Sequence, residues 1–208
     1  HVLIVLGGSL IGGVALWFAA DHWVSSLFQR VRPDIEAQIS KPLGHPISIG
    51  RYRGLGLQGI ALGPVQVRKG PLDQSTAEIQ RLTIGLDPFA SLLRFKPVLT
   101  VRVRGAHLDL RRNDQGGYWV PGPFPEQGDP PRLDLQVRFS DPARIRIVPA
   151  GLSLTAAGWS GIRLDEHRAD GVLKFVLPDR GRITVKARGR WVRPEFELTT
   201  QLERIQLE

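Results

Sequence analysis

The sequence predicts a mainly β protein with an N-terminal helical portion. The expected order is a transmembrane helix, an amphipathic helix, and an extended, curled, antiparallel-rich β-sheet shaped as a groove, with one short helix near 88–95. Three observations predict this. Residues 2–20 contain no charged side chain. Residues 21–41 repeat apolar side chains at helical spacing. From Leu99 onward apolar and polar residues alternate, and no helical run follows Pro97.

The first segment, VLIVLGGSLIGGVALWFAA, is about 28 Å long as a helix, close to the roughly 30 Å of a bilayer's hydrocarbon core. Trp17, Phe18 and Trp23 cluster near one end, where aromatic rings favour the membrane interface. The length favours an uncleaved anchor over a signal peptide, whose apolar core is only about 7–15 residues. The next segment places Trp23, Val24, Leu27, Phe28, Val31, Ile35 and Ile39 on helical spacing, and Pro33 predicts a kink or division near Arg32. This helix either packs on the sheet or lies along a membrane surface.

Pro42, Gly44 and Pro46 punctuate the chain. Short apolar pairs follow, at Ile47 and Ile49, Leu55 and Leu57, Ile60 and Leu62, Val65 and Val67. They read as short strands with bulges or tight turns. Leu82, Ile84 and Leu86 form another row. Asp87 is then a good N-cap and Pro88 suits a first helical position, so FASLLRF reads as the short helix.

The expected organisation is an anchor over 1–20, an amphipathic helix over 21–43 and a β-rich groove domain over 44–208. The chain opens on His1 and has no methionine, so it reads as a segment whose β body continues.

Each strand after Pro97 has one apolar side, and no helical pattern follows to cover it. A sheet leaves such a side in water at a high cost. It either closes as a sandwich or barrel, stacks as a solenoid, or curls into a trough lined by something apolar. The candidate lining is Leu99, Val101, Val103, Leu108, Leu110, Leu133, Leu135, Val137, Phe139, Ile145, Ile147, Phe175, Ile183 and Val185.

The stretch DLRRNDQGGYWVPGP, 109–123, reads as a hairpin turn. Asn113, Asp114, Gly116 and Gly117 supply turn chemistry, with Tyr118 and Trp119 on a returning strand. Asp109, Asp114, Glu126, Asp129 and Asp134 lie around it, but no pattern fixes two carboxylates across a bond. No catalytic residue, metal site or cofactor is expected. Cysteine is absent, the five histidines lack ligand spacing, and the glycines form no phosphate-binding signature. The net charge of +8, from 28 Lys and Arg against 20 Asp and Glu, suggests an anionic partner. Most arginines alternate with apolar residues, which is the pattern of a wet sheet face.

Several of these pieces together carry a resemblance. Leu108, Leu110, Arg111, Gly117 and Trp119 match a strand-to-turn motif. Gly44, Pro46, Ile47, Ile49 and Gly50 match a second motif, Asp87 to Arg94 a third, and the run from Val101 to Leu110 a fourth. With the N-terminal helix ahead of them, residues 1–150 resemble AsmA-like proteins, most closely the N-terminal part of the TamB branch. That branch comprises the inner-membrane subunits of the translocation and assembly module, including cyanobacterial and chloroplast-envelope types.

The resemblance implies a single-pass inner-membrane anchor with the body in the periplasm, or in the intermembrane space of an organelle. It implies a groove that carries phospholipid or glycolipid acyl chains between membranes, and support of outer-membrane protein assembly with an Omp85-class partner. It brings no catalytic residues. The competing expectations are a β-strand-templating scaffold without lipid transfer, and a basic polymer-binding scaffold. Nucleic acid is not expected, because few aromatics interleave with the basic rows.

Overall fold

A computed structural model describes the chain except residues 1, 57, 115, 121, 123–131, 164–165, 167, 179–180, 191–194 and 204–208, and describes 2–19, 42, 195 and 196 by their backbone only. The expectations at Leu57, Glu126 and Asp129, and the side chains of the 2–20 span apart from Ala20, lie outside the described residues. Among the described residues no helix is long and apolar enough to cross a membrane.

Helix α1 (Val2–Leu43) is continuous. Of the kink or division expected at Pro33, the division does not occur. Phe28 and Ile35, on either side of Pro33, both pack on the same sheet. Tertiary contacts thus hold the turns on both sides of the missing amide against the sheet. Of the apolar helix positions, Phe28 and Ile35 face the sheet, whereas Trp23, Leu27, Val31 and Ile39 remain exposed. Gly44 follows at φ 74, and its amide donates to the carbonyls of Ser40 and Lys41. This is the left-handed cap that glycine adopts without steric cost.

Among the described residues twelve strands form one sheet. They are β1 (Ile47–Ile49), β2 (Tyr52–Gly56), β3 (Gly59–Leu62), β4 (Val65–Val67), β5 (Thr76–Leu86), β6 (Val98–Arg111), β7 (Asp134–Phe139), β8 (Ala143–Val148), β9 (Leu152–Arg163), β10 (Arg168–Leu177), β11 (Gly181–Arg190) and β12 (Glu195–Glu203). The main path runs β1-β4-β5-β6-β7-β9-β10-β11-β12, with β3 beside β5, β2 beyond β3, and β8 between β6 and β9. Its ends do not meet, so the sheet is open. The short helix α2 (Pro88–Arg94) sits between β5 and β6 as expected, with Asp87 accepting from the Ala90 amide.

The hairpin expected over 109–120 is corrected. The turn exists: the Asn113 amide donates to the Gly117 carbonyl, and the Gly117 amide donates to Asn113 Oδ1. Tyr118 and Trp119 do not continue as a strand. One edge of β6 is occupied by β5, and the other is shared by β7 and β8, both parallel to β6. No edge remains for an antiparallel return, and a parallel neighbour requires a long crossover.

On β5 and β6 the inward phase changes part-way along. Val103 and Ala106 both belong to the same buried cluster, although a three-residue step on a regular strand reverses the face. Gly105 between them has φ 63, and its amide donates to the Asp141 carboxylate. The bend keeps the apolar side continuous across both halves of the strand.

Candidate functional site

The registers place the candidate lining residues on one side of the sheet, because paired residues share a face. Leu99 pairs with Leu135, Val101 with Val137, and Val103 with Phe139. Leu108 pairs with Ile145 and Leu110 with Ile147. Ala143 pairs with Ala156, Ala156 with Phe175, and Phe175 with Ile183, which carries the face outward. Val185 continues it beside Leu173. Leu133 stands just ahead of β7, half-buried and outside the ladder.

Cover on this side is uneven. At the β1–β4 end, Phe28 and Ile35 of α1 pack over Ile49, Leu62, Val65 and neighbouring side chains. The middle is dressed by its own side chains around Val103, Ala106, Ala143 and Ala156. At the far end Leu198 is 67% exposed and Leu202 63% exposed. They pair with Ala187 and Ile183 and so lie on the same face. The accessible surface is 14936 Å², against about 9,700 Å² for a compact monomer of this mass. The open sheet and the long helix α1 both add to this area, whereas a closed sandwich would bury both inner faces. On the opposite face an open depression of about 870 Å³ lies over β7, β9 and β10, bordered by Arg138, Trp159, Asp170 and Lys174.

The two outer edges differ. Along the first, α1 side chains take up strand amides: Ile47 N donates to Ser40 Oγ at 3.0 Å, Ile49 N to Glu36 Oε1 at 2.7 Å and Leu55 N to Asp21 Oδ1 at 2.8 Å. Asp21 also accepts from the Tyr52 hydroxyl. That bond and the Leu55 amide hold its carboxyl below the usual range. Burial would raise Glu36, but Arg32 and the Ile49 amide outweigh it and lower its pKa. These contacts blunt a strand edge that would otherwise invite pairing. Strand β12 ends the sheet with no strand on its outer side among the described residues.

The 109–123 stretch has a structural role absent from the sequence reading. Trp119 stacks on His45 with ring centroids 4.1 Å apart, and its Nε1 donates to the Leu43 carbonyl at 3.1 Å. His45 is buried, with Nδ1 3.0 Å from the Arg68 carbonyl and Nε2 3.0 Å from Asp73 Oδ2. Both neighbours offer oxygen acceptors to the ring nitrogens. Asp73 also accepts from the Val120 and Ser75 amides. Burial raises its carboxyl, but those two amides and His45 outweigh it and hold it below the usual carboxylate range. Ser75 Oγ donates to the Tyr118 carbonyl. This clasp ties the crossover to the end of α1. The nearest sequence signal was the rarity of a Trp beside turn glycines.

The described carboxylates near the turn are not brought together. Asp109 lies beside Arg146 at 3.7 Å and Asp114 is exposed. Asp134 is held by Arg94 and by Lys96, whose Nζ approaches Oδ1 at 2.8 Å as a charge contact and not an aligned hydrogen bond. Asp134 registers with Val98, at the opposite end of β6 from Asp109. Among the described residues no group of three or more His, Cys, Asp or Glu is placed to hold a metal ion.

Comparison with protein-family models, with curated proteins and with solved structures yields no match to this chain.

Proposed function

We propose that this chain is a membrane-anchored periplasmic bridge that carries lipid along its apolar sheet face between inner and outer membranes. The observation that carries the reading is a continuous apolar face on one open sheet, left bare where Leu198 and Leu202 lie. Acyl chains supply the missing cover while the arginine rows on the other side stay wet. The groove is the curled form of this face, and the 2–20 span is the anchor. The compartment and the two membranes come from the resemblance to the TamB branch.

The test is photo-crosslinking in membranes of the native host. Groups at Val137 and Ile147 capture phospholipid or glycolipid, and groups at Arg138 and Arg146, on the opposite face, do not. Equal capture from both faces, or none from either in folded protein, sinks the conduit.

The open edge of β12 favours a second reading. Edge amides and carbonyls with no strand partner among the described residues can pair with an extended client strand, with affinity from main-chain hydrogen bonds. In that role the chain supports outer-membrane protein assembly with an Omp85-class partner. Strand-register crosslinks from Thr199 or Gln201 to a client barrel protein test it.

A further inference from the structure

The sheet's most exposed apolar side chains are not on its strands. Helix α2 has no buried residue. Phe89 and Leu93 are each 81% exposed and Phe95 is 93% exposed, with Leu92 beside them. Four large apolar side chains on one short turn gain nothing for the fold from where they stand.

The turn is nevertheless held firmly. Asp87 N donates to the Val98 carbonyl, Val98 N donates to Ser91 Oγ, and Arg94 grips the buried Asp134. Phe95 adopts φ 51, a left-handed conformation that glycine or asparagine fills at lower cost. A strained phenylalanine aimed at solvent from a rigid mount points to contact with something outside the chain.

The surroundings give its chemistry. Arg94, Lys96, Arg132 and Arg163 border one depression beside Phe95, with Asp134 and Glu166. Four cations against two carboxylates leave a local charge of +2. Apolar side chains collared by basic ones match the boundary between anionic headgroups and acyl chains.

Direction supplies the second argument. Along α1, Ser40 meets Ile47, Glu36 meets Ile49 and Asp21 meets Leu55. Those strand residues register, through β4 or β3, with Ala77, Ile79 and Ile84 of β5 in turn. Walking up α1 towards its N-terminus therefore runs along β5 towards α2. The charge-free part of α1 leaves the sheet at the end where the α2 tip stands.

We infer that the α2 tip inserts into the surface of an anionic lipid bilayer, the one towards which α1 points. The tip then stands at the mouth of the apolar face, where Leu86 pairs with Leu99 and Leu99 with Leu135. The inference shares the anchor reading proposed above but does not need the face to conduct lipid.

The chain has no cysteine, so a single Leu93→Cys accepts one environment-sensitive NBD dye. Ser153→Cys, exposed at the start of β9, is the control. The full chain is reconstituted in phosphatidylcholine vesicles with or without phosphatidylglycerol and containing spin-labelled lipid. Dye at 93 should blue-shift and be quenched several-fold more than dye at 153, most strongly with phosphatidylglycerol. Adding Phe89→Ser and Phe95→Ser should remove most of that difference. Equal quenching at the two positions overturns the inference. So does a blue shift at 93 without lipid quenching, which would assign the tip to a protein surface. Lipid crosslinking at Val137, measured in the same vesicles, separates the two claims. Quenching at 93 without crosslinking at 137 keeps the tip and sinks the conduit, and the reverse result sinks the tip alone.

Discussion

Glu36 of α1 and Ile49 of β1 are joined by a 2.7 Å bond from the strand amide to the helix carboxylate. A helix side chain thus occupies a place that a neighbouring strand would take. Ser40 and Asp21 repeat the device, at Ile47 and Leu55. The sheet is closed to addition on this edge and, among the described residues, open at β12.

The buried His45–Asp73 pair gives the first prediction. Removing His45 leaves the buried Asp73 carboxylate without its side-chain partner, and removing Asp73 leaves the buried ring without its own; breaking such a pair costs about 3–5 kcal/mol. Asp73→Asn and His45→Ala should lower stability by that order in urea unfolding at neutral pH. The folded carboxyl of Asp73 lies below its ordinary value of 3.8. Its contribution is therefore complete above that value and lost as pH falls through the folded one. Wild type should lose stability steeply below about pH 4, and Asp73→Asn should show a shallower loss.

Tyr52 predicts an effect at the other end of the scale. Burial first, then its bond to Asp21, pushes the phenol up to about 12 from 10.0. The folded state favours the neutral hydroxyl. Stability from this contact is complete below pH 10.0 and disappears as pH rises through about 12. Tyr52→Phe should remove that part of the alkaline transition, read as the unfolding midpoint across this range.

On the conduit reading, Val137→Asp or Ile147→Asp should abolish lipid capture by the apolar face, because desolvating a carboxylate among acyl chains is costly. Arg138→Asp, on the wet face, should change it little. Lipid co-purifying with each variant, counted by mass spectrometry, measures the difference. Equal loss in all three would point to general misfolding.

Phe95→Gly should separate stability from membrane contact. Relief of the left-handed phenylalanine should outweigh the added chain entropy and raise stability by about 0.5–1 kcal/mol. Quenching of a dye at position 93 by spin-labelled lipid in phosphatidylglycerol vesicles should fall in the same variant. A variant that is less stable would show that the Phe95 ring packs on the protein.

The sequence by itself determined the local elements. Period-2 alternation marked β6 to β11 and assigned their apolar side, because side-chain direction on a strand is set by the backbone alone. Asp87 and Pro88 marked the start of α2, because capping involves only neighbouring residues. The change of phase from Val103 to Ala106 was also present in the sequence, with Gly105 between them. The tertiary structure decided which edges met. That β7 and β8 lie parallel to β6, and that Trp119 leaves the sheet to cover His45, depends on competition for the two edges of β6. The continuity of α1 through Pro33 depends on contacts from both its sides to the sheet, and its blunting of the first edge depends on Asp21, Glu36 and Ser40 reaching strands up to 34 residues away. Alternation records only how a strand divides its faces, whereas the choice of edge partner is a long-range hydrogen-bond competition that leaves no local period in the chain.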